Sequence, residues 1–505
     1  MTMHTDAQDV LDRLKTAQSK PLGDPRFKSL IGLEKSTFSQ SQSATSGLTF
    51  YDLELGAKFL YPVLTPLRNM IPRVSGKGGI QAAWRAITKI NTTGLRFGVS
   101  SANRGGVLAV ATQDYTASYK GIGVETSVDF EAQFAGQEFD DVRAIGAKTG
   151  LEALMLGEEA MILGGCASGA LGVTPTPSLA ASTSGGSLAA QTWSVICAAL
   201  TLDGMMNGSI QGGVQGQITR TNADGSSDTF GGGVAAKSAS ATAATTGATG
   251  SISASVMPVP GALGYAWFWG AAGAEVLGAI TTINSLVISA AAAGSQTAAS
   301  LGSNDNSANV LAFDGLIYQA FKPGSGASVY TMSPGTAGTG SPLTADGSGG
   351  IIEIDTVLKS MWDNYRLSPD TMWVSSQEAL NISKKILAAS QSSAQRFVFE
   401  TAQDLVGGGI MVRTYLNRFS MQGGGVVDIK VHPNMPAGTI LFTTKGLPYP
   451  LAGVGNVMQI RTRQDYYQIE WPLRTRKYEY GVYADEVLQH YFPPALALIT
   501  NIGNG

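Results

Sequence analysis

The chain has 505 residues and a mass of 52.4 kDa, which is too long for one ordinary core and predicts two to four domains. Only 14% of its residues are charged, whereas 44% are hydrophobic and 63 residues are glycine. Small side chains therefore take the place of charge over much of the chain. The net charge of -3 argues against sequence-independent binding of nucleic acid across the whole surface.

Cysteine usage and the N-terminus indicate a protein made in a reducing compartment. The two cysteines, Cys166 and Cys197, are too few for a disulfide framework and have no metal-site spacing. The first residues are polar and lack the apolar core of a secretion signal. No apolar run reaches the roughly 18 residues of a membrane span. We therefore expect neither secretion nor membrane association.

Residues 1–50 are expected to form an N-terminal arm, and residues 51–75 to begin the first folded domain. Val10, Leu11 and Leu14 share one face of a short predicted helix. The Ser- and Gln-rich sequence after it lacks the apolar content to fold alone. Two interpretations stay open: an extended arm that lies on a neighbouring molecule, and a disordered tail.

Residues 76–134 show two runs of alternating apolar and polar residues, 80–90 and 122–130. Between them lies a Gly-rich, basic stretch with Asn91, Arg96 and Arg104 at the expected tip. This pattern predicts a long two-stranded arm. Because an isolated hairpin is marginal in water, the arm is expected to lie against another molecule.

Residues 135–166 contain the strongest helical pattern, expected over 138–163 with acidic residues in its first turn. Gly146, Gly150 and Gly157 each cost about 1 kcal/mol relative to alanine inside a helix. The helix is therefore expected to be pressed closely by a strand or another helix.

Residues 167–300 contain far fewer charges and several short β-like runs, which predict an inserted β-sandwich. Tyr265, Trp267 and Trp269 alternate along one of these runs. They are interpreted as the core of the sandwich, with a carbohydrate-binding surface as the less favoured alternative. Residues 301–350 are Gly/Ser-rich and are expected to form a return loop or a second small β element.

Residues 351–450 have the pattern of a mixed α/β domain, and residues 451–505 alternate again as long closing strands. In the closing strands basic residues alternate with aromatic ones. The basic residues are Arg461, Arg463, Arg474 and Arg476. A solvated sheet face is the plain interpretation of this pattern. Ion pairing between subunits is the functional interpretation that we prefer, and contact with nucleic acid is the third.

No catalytic constellation is visible in the sequence. His4, His432 and His490 have no partners at the spacing of a triad or a zinc site. The glycine triplets do not have the spacing of a dinucleotide site, and Lys148 is not preceded by the glycine of a phosphate-binding loop. We therefore predict no enzyme activity, no cofactor and no metal.

The order of these elements resembles the major capsid fold of tailed bacteriophages, the Johnson fold, which herpesvirus capsids share. Residues 76–134 resemble its extended loop, the E-loop, and residues 138–163 resemble the spine helix of its peripheral (P) domain. LSPDTMWVSSQEALNISKKI, residues 367–386, is similar to a recurrent strand and helix of its axial (A) domain. GGGVVDIKVHPNMPAGTILFTT and the following strands resemble the closing portion of the fold. The β-rich stretch 167–300 departs from the pattern and resembles an inserted immunoglobulin-like domain.

The resemblance implies an α+β capsid protein that assembles through hexamers and pentamers into an icosahedral shell around double-stranded DNA. Scaffolding, cement and portal proteins are possible further partners of such a shell protein. The implied location is the virion, after assembly in the host cytoplasm. Two alternatives stay open: a β-rich tail or surface adhesin protein, and an encapsulin-like nanocompartment shell.

Overall fold

The computed structural model describes residues 60–90, 101–102, 104, 109–136, 141–335, 338–388, 411–421, 424–473 and 475–504. The chain divides into two units, and the features described below belong to the larger one, Tyr61–Phe134 with Val142–Gly505. The predicted N-terminal arm, residues 1–50, lies outside the described residues. Among the described helices, none has the length and apolar character to cross a membrane.

The described helices and strands fall into three stretches of the chain. The first stretch contains α1 (Pro66–Met70), β1 (Arg73–Ser75), β2 (Gln81–Ile90), β3 (Val110–Ser118), β4 (Lys120–Asp129), α2 (Phe130–Gly136) and α3 (Val142–Gly164). The second contains β5 (Ser178–Ser182), β6 (Thr192–Leu200), α4 (Leu202–Met206), β7 (Gln217–Thr221), β8 (Ser227–Gly231), β9 (Ala241–Ala244), β10 (Ser251–Ser255), β11 (Gly264–Gly270), β12 (Val276–Thr281) and β13 (Ser285–Ile288). The third contains α5 (Leu316–Phe321), β14 (Ser328–Thr331), α6 (Ile352–Tyr365), β15 (Thr371–Val374), α7 (Ser376–Ala388), β16 (Thr414–Asn417), β17 (Gly425–Val431), β18 (Ile440–Thr443), β19 (Met458–Glu470), β20 (Lys477–His490) and β21 (Leu496–Thr500).

The predicted long helix is α3, and it lies against a sheet with the strand order β1-β19-β20-β4. The prediction is confirmed from residue 142 onward, and residues 137–140, with most of the expected acidic first turn, lie outside the described residues. Close packing accounts for two of its three interior glycines. A Cβ on Gly146 would collide with the Tyr480 hydroxyl, and one on Gly150 would lie 3.3 Å from Thr126. A Cβ on Gly157 would meet no atom within 4 Å, so its cost is not offset by packing.

The predicted arm exists, but its second strand is β3 and not the run 122–130. β2 pairs antiparallel with β3 from Gln81↔Ser118 to Ile90↔Val110, and these two strands form a separate two-stranded sheet, here called the ribbon. β4 instead pairs with β20. The prediction selected the wrong second strand because only Tyr119 separates β3 from β4 and because β3 is largely polar. The apolar side of β4 is covered by α3, which draws that strand into the main sheet.

The second stretch forms two facing sheets with the strand orders β13-β10-β5 and β12-β11-β6-β9. Tyr265, Trp267 and Trp269 are buried in one apolar cluster with residues from both sheets. The opposite side of the larger sheet is also buried, under a second cluster that includes Ile196 and Phe268. A sheet covered on both faces explains why the sequence of β6 is almost continuously apolar.

The two ends of the insertion are tied together at its junction with α3. The Gly315 amide donates to the Gly165 carbonyl at 2.8 Å, and the Asn309 amide donates to the Cys166 carbonyl at 2.8 Å. The Asp314 carboxylate accepts from the Ser168 amide at 2.9 Å. Leu202 of α4 belongs to the same buried cluster as residues of α3, so the inserted sheets share a core with the rest of the unit.

The stretch 301–350, expected to form a return loop or a second small β element, contains one helix and one short strand. Helix α5 buries Leu316, Ile317 and Ala320 in the core beside α3, and β14 pairs with β21 as an edge strand. The Gly/Ser-rich composition hid both elements because each is only four to six residues long. The chain therefore returns from the insertion through a packed helix and a paired strand.

The C-terminal part follows the predicted α/β pattern closely. Its six-stranded sheet has the order β14-β21-β18-β15-β17-β16. Helix α6 contributes Ile354, Val357 and Leu358 to the core on this sheet. Helix α7 follows β15 directly, as the sequence predicts. With its helices and mixed sheets the described chain is of the α+β class.

We expect Gly146→Ala to destabilise the protein by about 1–3 kcal/mol, because the added methyl group overpacks against Tyr480. Tyr480 cannot easily move, since it is buried and its hydroxyl donates to the Arg143 carbonyl at 2.9 Å. Gly157→Ala is the matched control in the same helix and should stabilise by about 0.5–1 kcal/mol. Urea unfolding measures both, and equal effects at the two positions would contradict the packing described for α3.

Candidate functional site

The ribbon presents apolar side chains that nothing in the described chain covers. Ile87, Ile90 and Val110 are 65%, 53% and 47% exposed. Its strands are held in register by backbone pairing and by the Arg85–Asp114 ion pair, with 2.8 Å between Nη2 and Oδ2. The ribbon is therefore ordered locally but lacks a surface to lie on.

Of the residues expected at the tip of the arm, Arg104 is exposed. Asn91 and Arg96 lie outside the described residues. At the other end, Trp84 stacks on Tyr115 with a centroid distance of 5.8 Å and meets Tyr491 edge-on at 5.8 Å. This aromatic contact joins the base of the ribbon to the chain just beyond β20.

A buried cluster of charge, here called the carboxylate cluster, lies between α3 and the main sheet. It consists of Arg68, Arg73, Glu158, Asp465, Tyr466 and Glu486. Glu158 is fully buried and pairs with Arg73 and, at 3.1 Å, with Arg68. Arg73 also reaches Glu486 at 2.6 Å and Asp465 at 2.7 Å. Breaking a buried pair of this kind commonly costs about 3–5 kcal/mol, because it leaves an uncompensated charge.

The adjacent Glu159 fastens α1 to α3. Thr65 makes no side-chain capping bond, and the Glu159 carboxylate accepts instead from the Leu67 amide at 2.8 Å and the Arg68 amide at 2.7 Å. Its Oε1 also lies 2.6 Å from Nε2 of buried His432. The Asn434 amide donates to Nδ1 of His432, which places the ring proton of a neutral imidazole on Nε2, facing Glu159.

Sequence reasoning missed the carboxylate cluster, although one signal was present. Glu158 and Glu159 stand together inside the apolar run LMLGEEAMILGG. Two acids in the apolar part of a helix indicate buried partners, because unpaired buried carboxylates are very costly. The sequence does not identify those partners, since Arg73 and Glu486 are far away along the chain.

The predicted intersubunit arginines of the closing strands differ in their surroundings. Arg463 pairs with Asp485 at 2.6 Å, and Arg476 pairs with Glu131 at 3.0 Å, both within the chain. Arg474 lies outside the described residues. Arg461 is half-buried on β19 and has no acidic partner among the described residues. Arg463 therefore pairs across the sheet and Arg476 pairs with helix α2, whereas Arg461 has no acidic partner among the described residues.

The titratable groups inside the described chain are arranged for structure. No group of histidine, cysteine and acidic side chains there could hold a metal ion. Burial lowers the pKa of His490 to about 3, which keeps its imidazole neutral. A cavity of about 230 Å³ lies between the insertion and the C-terminal sheet, and Leu263, Phe321 and Thr500 are among its lining residues. Its lining contains no acid, base or cysteine.

No protein-family model and no curated protein matches the chain. Among solved structures, the capsid of Myoviridae phage XM1 aligns with 89% of this chain and 95% of its own, at 10% identity and a TM-score of 0.38. The capsid of an empty GTA particle aligns with 91% and 98%, at 10% identity and 0.40. The SrpI encapsulin of Synechococcus elongatus aligns with 88% and 93%, at 9% identity and 0.37. Each TM-score lies below 0.5, so these alignments by themselves establish no function for this chain.

Glu486 is expected to make stability depend on pH. Burial, and then the charge of Glu158, raise the pKa of its carboxyl above the ordinary 4.5 against the opposing effect of Arg73. The native state therefore holds this proton more tightly than the unfolded state. The free energy of unfolding should fall as pH rises above 4.5 toward the raised native pKa.

Glu486→Gln removes this titration, so the variant should gain stability relative to the wild type as pH rises from about 5 to about 8. Thermal unfolding measured across that range tests the effect. Glu479→Gln, on the other face of β20, controls for a general change in charge. A difference between Glu486→Gln and wild type that stays constant with pH would show that the carboxyl does not titrate as described.

Proposed function

We propose that the chain is the major capsid protein of a tailed bacteriophage. In this role it assembles through hexamers and pentamers into an icosahedral shell that encloses double-stranded DNA. The observation that carries the proposal is the ribbon, an ordered two-stranded arm whose apolar side chains are uncovered. The order of the surrounding elements, with a helix on a sheet and then an α/β domain, supports the same function.

An uncovered ribbon favours a partner made of protein. A two-stranded hairpin alone is marginal in water, and exposed apolar side chains on it favour burial against a second surface. If that surface belongs to another copy, the contact joins two different faces of the same molecule. Contacts of that type close into rings when the rotation between copies permits. Hexamers and pentamers are such rings.

Further roles follow from this function as parts of the proposal. Asn91, Arg96 and Arg104, which the sequence predicts at the tip of the arm, and the arginines of the closing strands are proposed to contact neighbouring copies. The insertion, interpreted as immunoglobulin-like, is proposed to project from the shell. The near-neutral net charge of -3 suits a container that holds DNA without sequence-specific binding. Scaffolding, cement and portal proteins are further proposed partners, with the virion as the final location.

Deleting residues 91–106, at the expected tip of the arm, is expected to leave a folded subunit that does not close into normal shells. The deletion removes most of the segment that links β2 to β3, whereas the base of the ribbon at Trp84 is retained. Circular dichroism checks folding, and negative-stain electron microscopy of the recombinant protein checks assembly. Normal closed shells from the deletion variant would contradict the role given to the ribbon.

Replacing Ile87, Ile90 and Val110 together by threonine should weaken assembly while leaving the subunit folded. Threonine keeps the β-branched shape that favours strands, but it removes apolar area from the proposed contact. Val173→Thr is the control, because Val173 is 71% exposed in the insertion. Light scattering should show a higher critical concentration for the ribbon variant only.

Electron microscopy and nucleic-acid content also separate the proposed function from its alternatives. Polyhedral shells that package DNA in infected cells support the capsid protein. Shells that copurify with a cargo protein and no DNA would indicate an encapsulin-like compartment. Fibres or small oligomers would indicate an adhesin or tail protein.

A further inference from the structure

Strand β14 forms one edge of the six-stranded sheet and has an open side. Among the described strands it pairs with β21 alone. On the closed side, the Met332 amide just beyond β14 donates to the Thr500 carbonyl at 2.9 Å. Because the backbone groups of a strand alternate between its two sides, those of Val329 and Thr331 point to the open side. An unpaired edge of this kind is a template for a further strand.

The cavity between the insertion and the C-terminal sheet lies beside this edge. Val329 and Thr331 line it from the sheet, and Pro258, Pro260 and Tyr265 line it from the insertion. Val329 is 37% exposed and both prolines are exposed, whereas Tyr265 is buried. The cavity therefore opens to solvent next to β14 and is closed at its inner end. A strand added to β14 would direct every second side chain to the face on which this opening lies.

The size and lining of the cavity fit a side chain of an extended peptide. Its volume of about 230 Å³ is smaller than the roughly 300–1,000 Å³ of sites for drug-sized ligands. No charged side chain lines it, so an apolar side chain can enter without leaving a charge unpaired. An open strand edge beside a pocket for alternate side chains is a general arrangement for binding an extended segment.

A segment with the matching pattern occurs in the N-terminal part of the sequence. In residues 48–55, LTFYDLEL, three apolar or aromatic residues alternate with Asp52 and Glu54. The three are Tyr51, Leu53 and Leu55. This alternation predicts an extended segment with one apolar and one charged face. The segment lies outside the described residues, so its pattern is taken from the sequence alone.

We propose that residues 48–55 of a second copy add as a strand to the open side of β14 and place an apolar side chain in the cavity. The inference rests on the proposed function, which provides the second copy. Exposed apolar side chains support a contact here, because Tyr61 and Leu64, which follow the segment, are 66% and 58% exposed. Leu55 can lie at most roughly 20 Å from Tyr61 along an extended chain. The contact would therefore also fix the body of one subunit beside the next.

Disulfide formation between two singly substituted proteins tests the contact directly. Directly opposed residues on neighbouring strands are close enough for such a bond. Val329→Cys is mixed during assembly with Tyr51→Cys, Leu53→Cys or Leu55→Cys and then oxidised. At least one mixture should give covalent dimers on a non-reducing gel, because the two cysteines are on different copies.

Mixtures of Val329→Cys with Asp52→Cys or Glu54→Cys are the matched controls. These side chains belong to the opposite face of the segment and should give few dimers. The native Cys166 and Cys197 are buried, and burial raises the pKa of both thiols, so they should not react.

Val329→Pro tests the backbone part of the contact. The Val329 N–H points to the open side, where proline is tolerated in an edge strand. The melting temperature of the free subunit should therefore fall by no more than a few degrees. The critical concentration for shell formation should rise on the order of tenfold, because the added strand loses a donor.

Leu53→Asp tests the side-chain part and leaves β14 and the cavity unchanged. A charge that enters an uncharged cavity is costly, so the critical concentration should again rise on the order of tenfold or more. Glu54→Gln, on the charged face of the segment, is the control and should assemble like the wild type.

Three results would overturn the inference and leave the proposed function intact. The first is normal shell assembly by both Val329→Pro and Leu53→Asp. The second is a disulfide within a single chain that carries Leu53→Cys and Val329→Cys, without any between mixed copies, which would show that the chain's own segment fills the site. The third is protection of Val329→Cys from maleimide in shells without any cross-link, which would indicate a different occupant. A wild-type protein that forms no shells would instead refute the proposed function, and the second-copy contact with it.

Discussion

The pair of buried acids on α3 is the interaction on which the larger unit depends. Glu158 pairs with Arg68 of α1 and with Arg73 at the start of β1. The Glu159 carboxylate accepts hydrogen bonds from backbone amides of α1 and so caps that helix. Through Arg73 the same cluster reaches Glu486 on β20. Removing Glu158 would take from Arg68 its acidic partner, and removing Glu159 would take from two backbone amides of α1 their acceptor. These two adjacent residues therefore join the first described helix, the long helix and the main sheet into one body.

That body gives the ribbon a firm base. Along the chain, β2 follows β1 of the main sheet closely, and β4 of the main sheet follows β3 directly. Both ends of the ribbon are thus held by the sheet that α3 supports. An arm can hold a neighbouring molecule in a fixed position only if its own base does not move. The hypothesis that follows is that the buried ion pairs of Glu158 and Arg73 fix the arrangement of this base.

Local sequence was sufficient for the elements whose neighbours lie close along the chain. The helix of α3, the β15–α7 unit and the closing strands could be predicted because their apolar periodicity reflects one covered face each. The buried role of Trp267 followed from alternation in the same way. The sequence also predicted that the arm is uncovered within its own chain, because its alternating pattern indicated no element that would cover it.

Tertiary structure alone decided the pairings between distant segments. Alternation predicts that a run is a strand but does not select its partner, and so the run 122–130 was assigned to the ribbon when it belongs beside β20. Short elements such as α5 were hidden in Gly/Ser-rich sequence, because their burial comes from contacts with α3 and not from a local pattern. The partners of Glu158 and the isolation of Arg461 likewise depend on which strands become neighbours. The sequence by itself determined the longer helices and strands, whereas only folding determined which charges are satisfied, because a charge is paired through space and not along the chain.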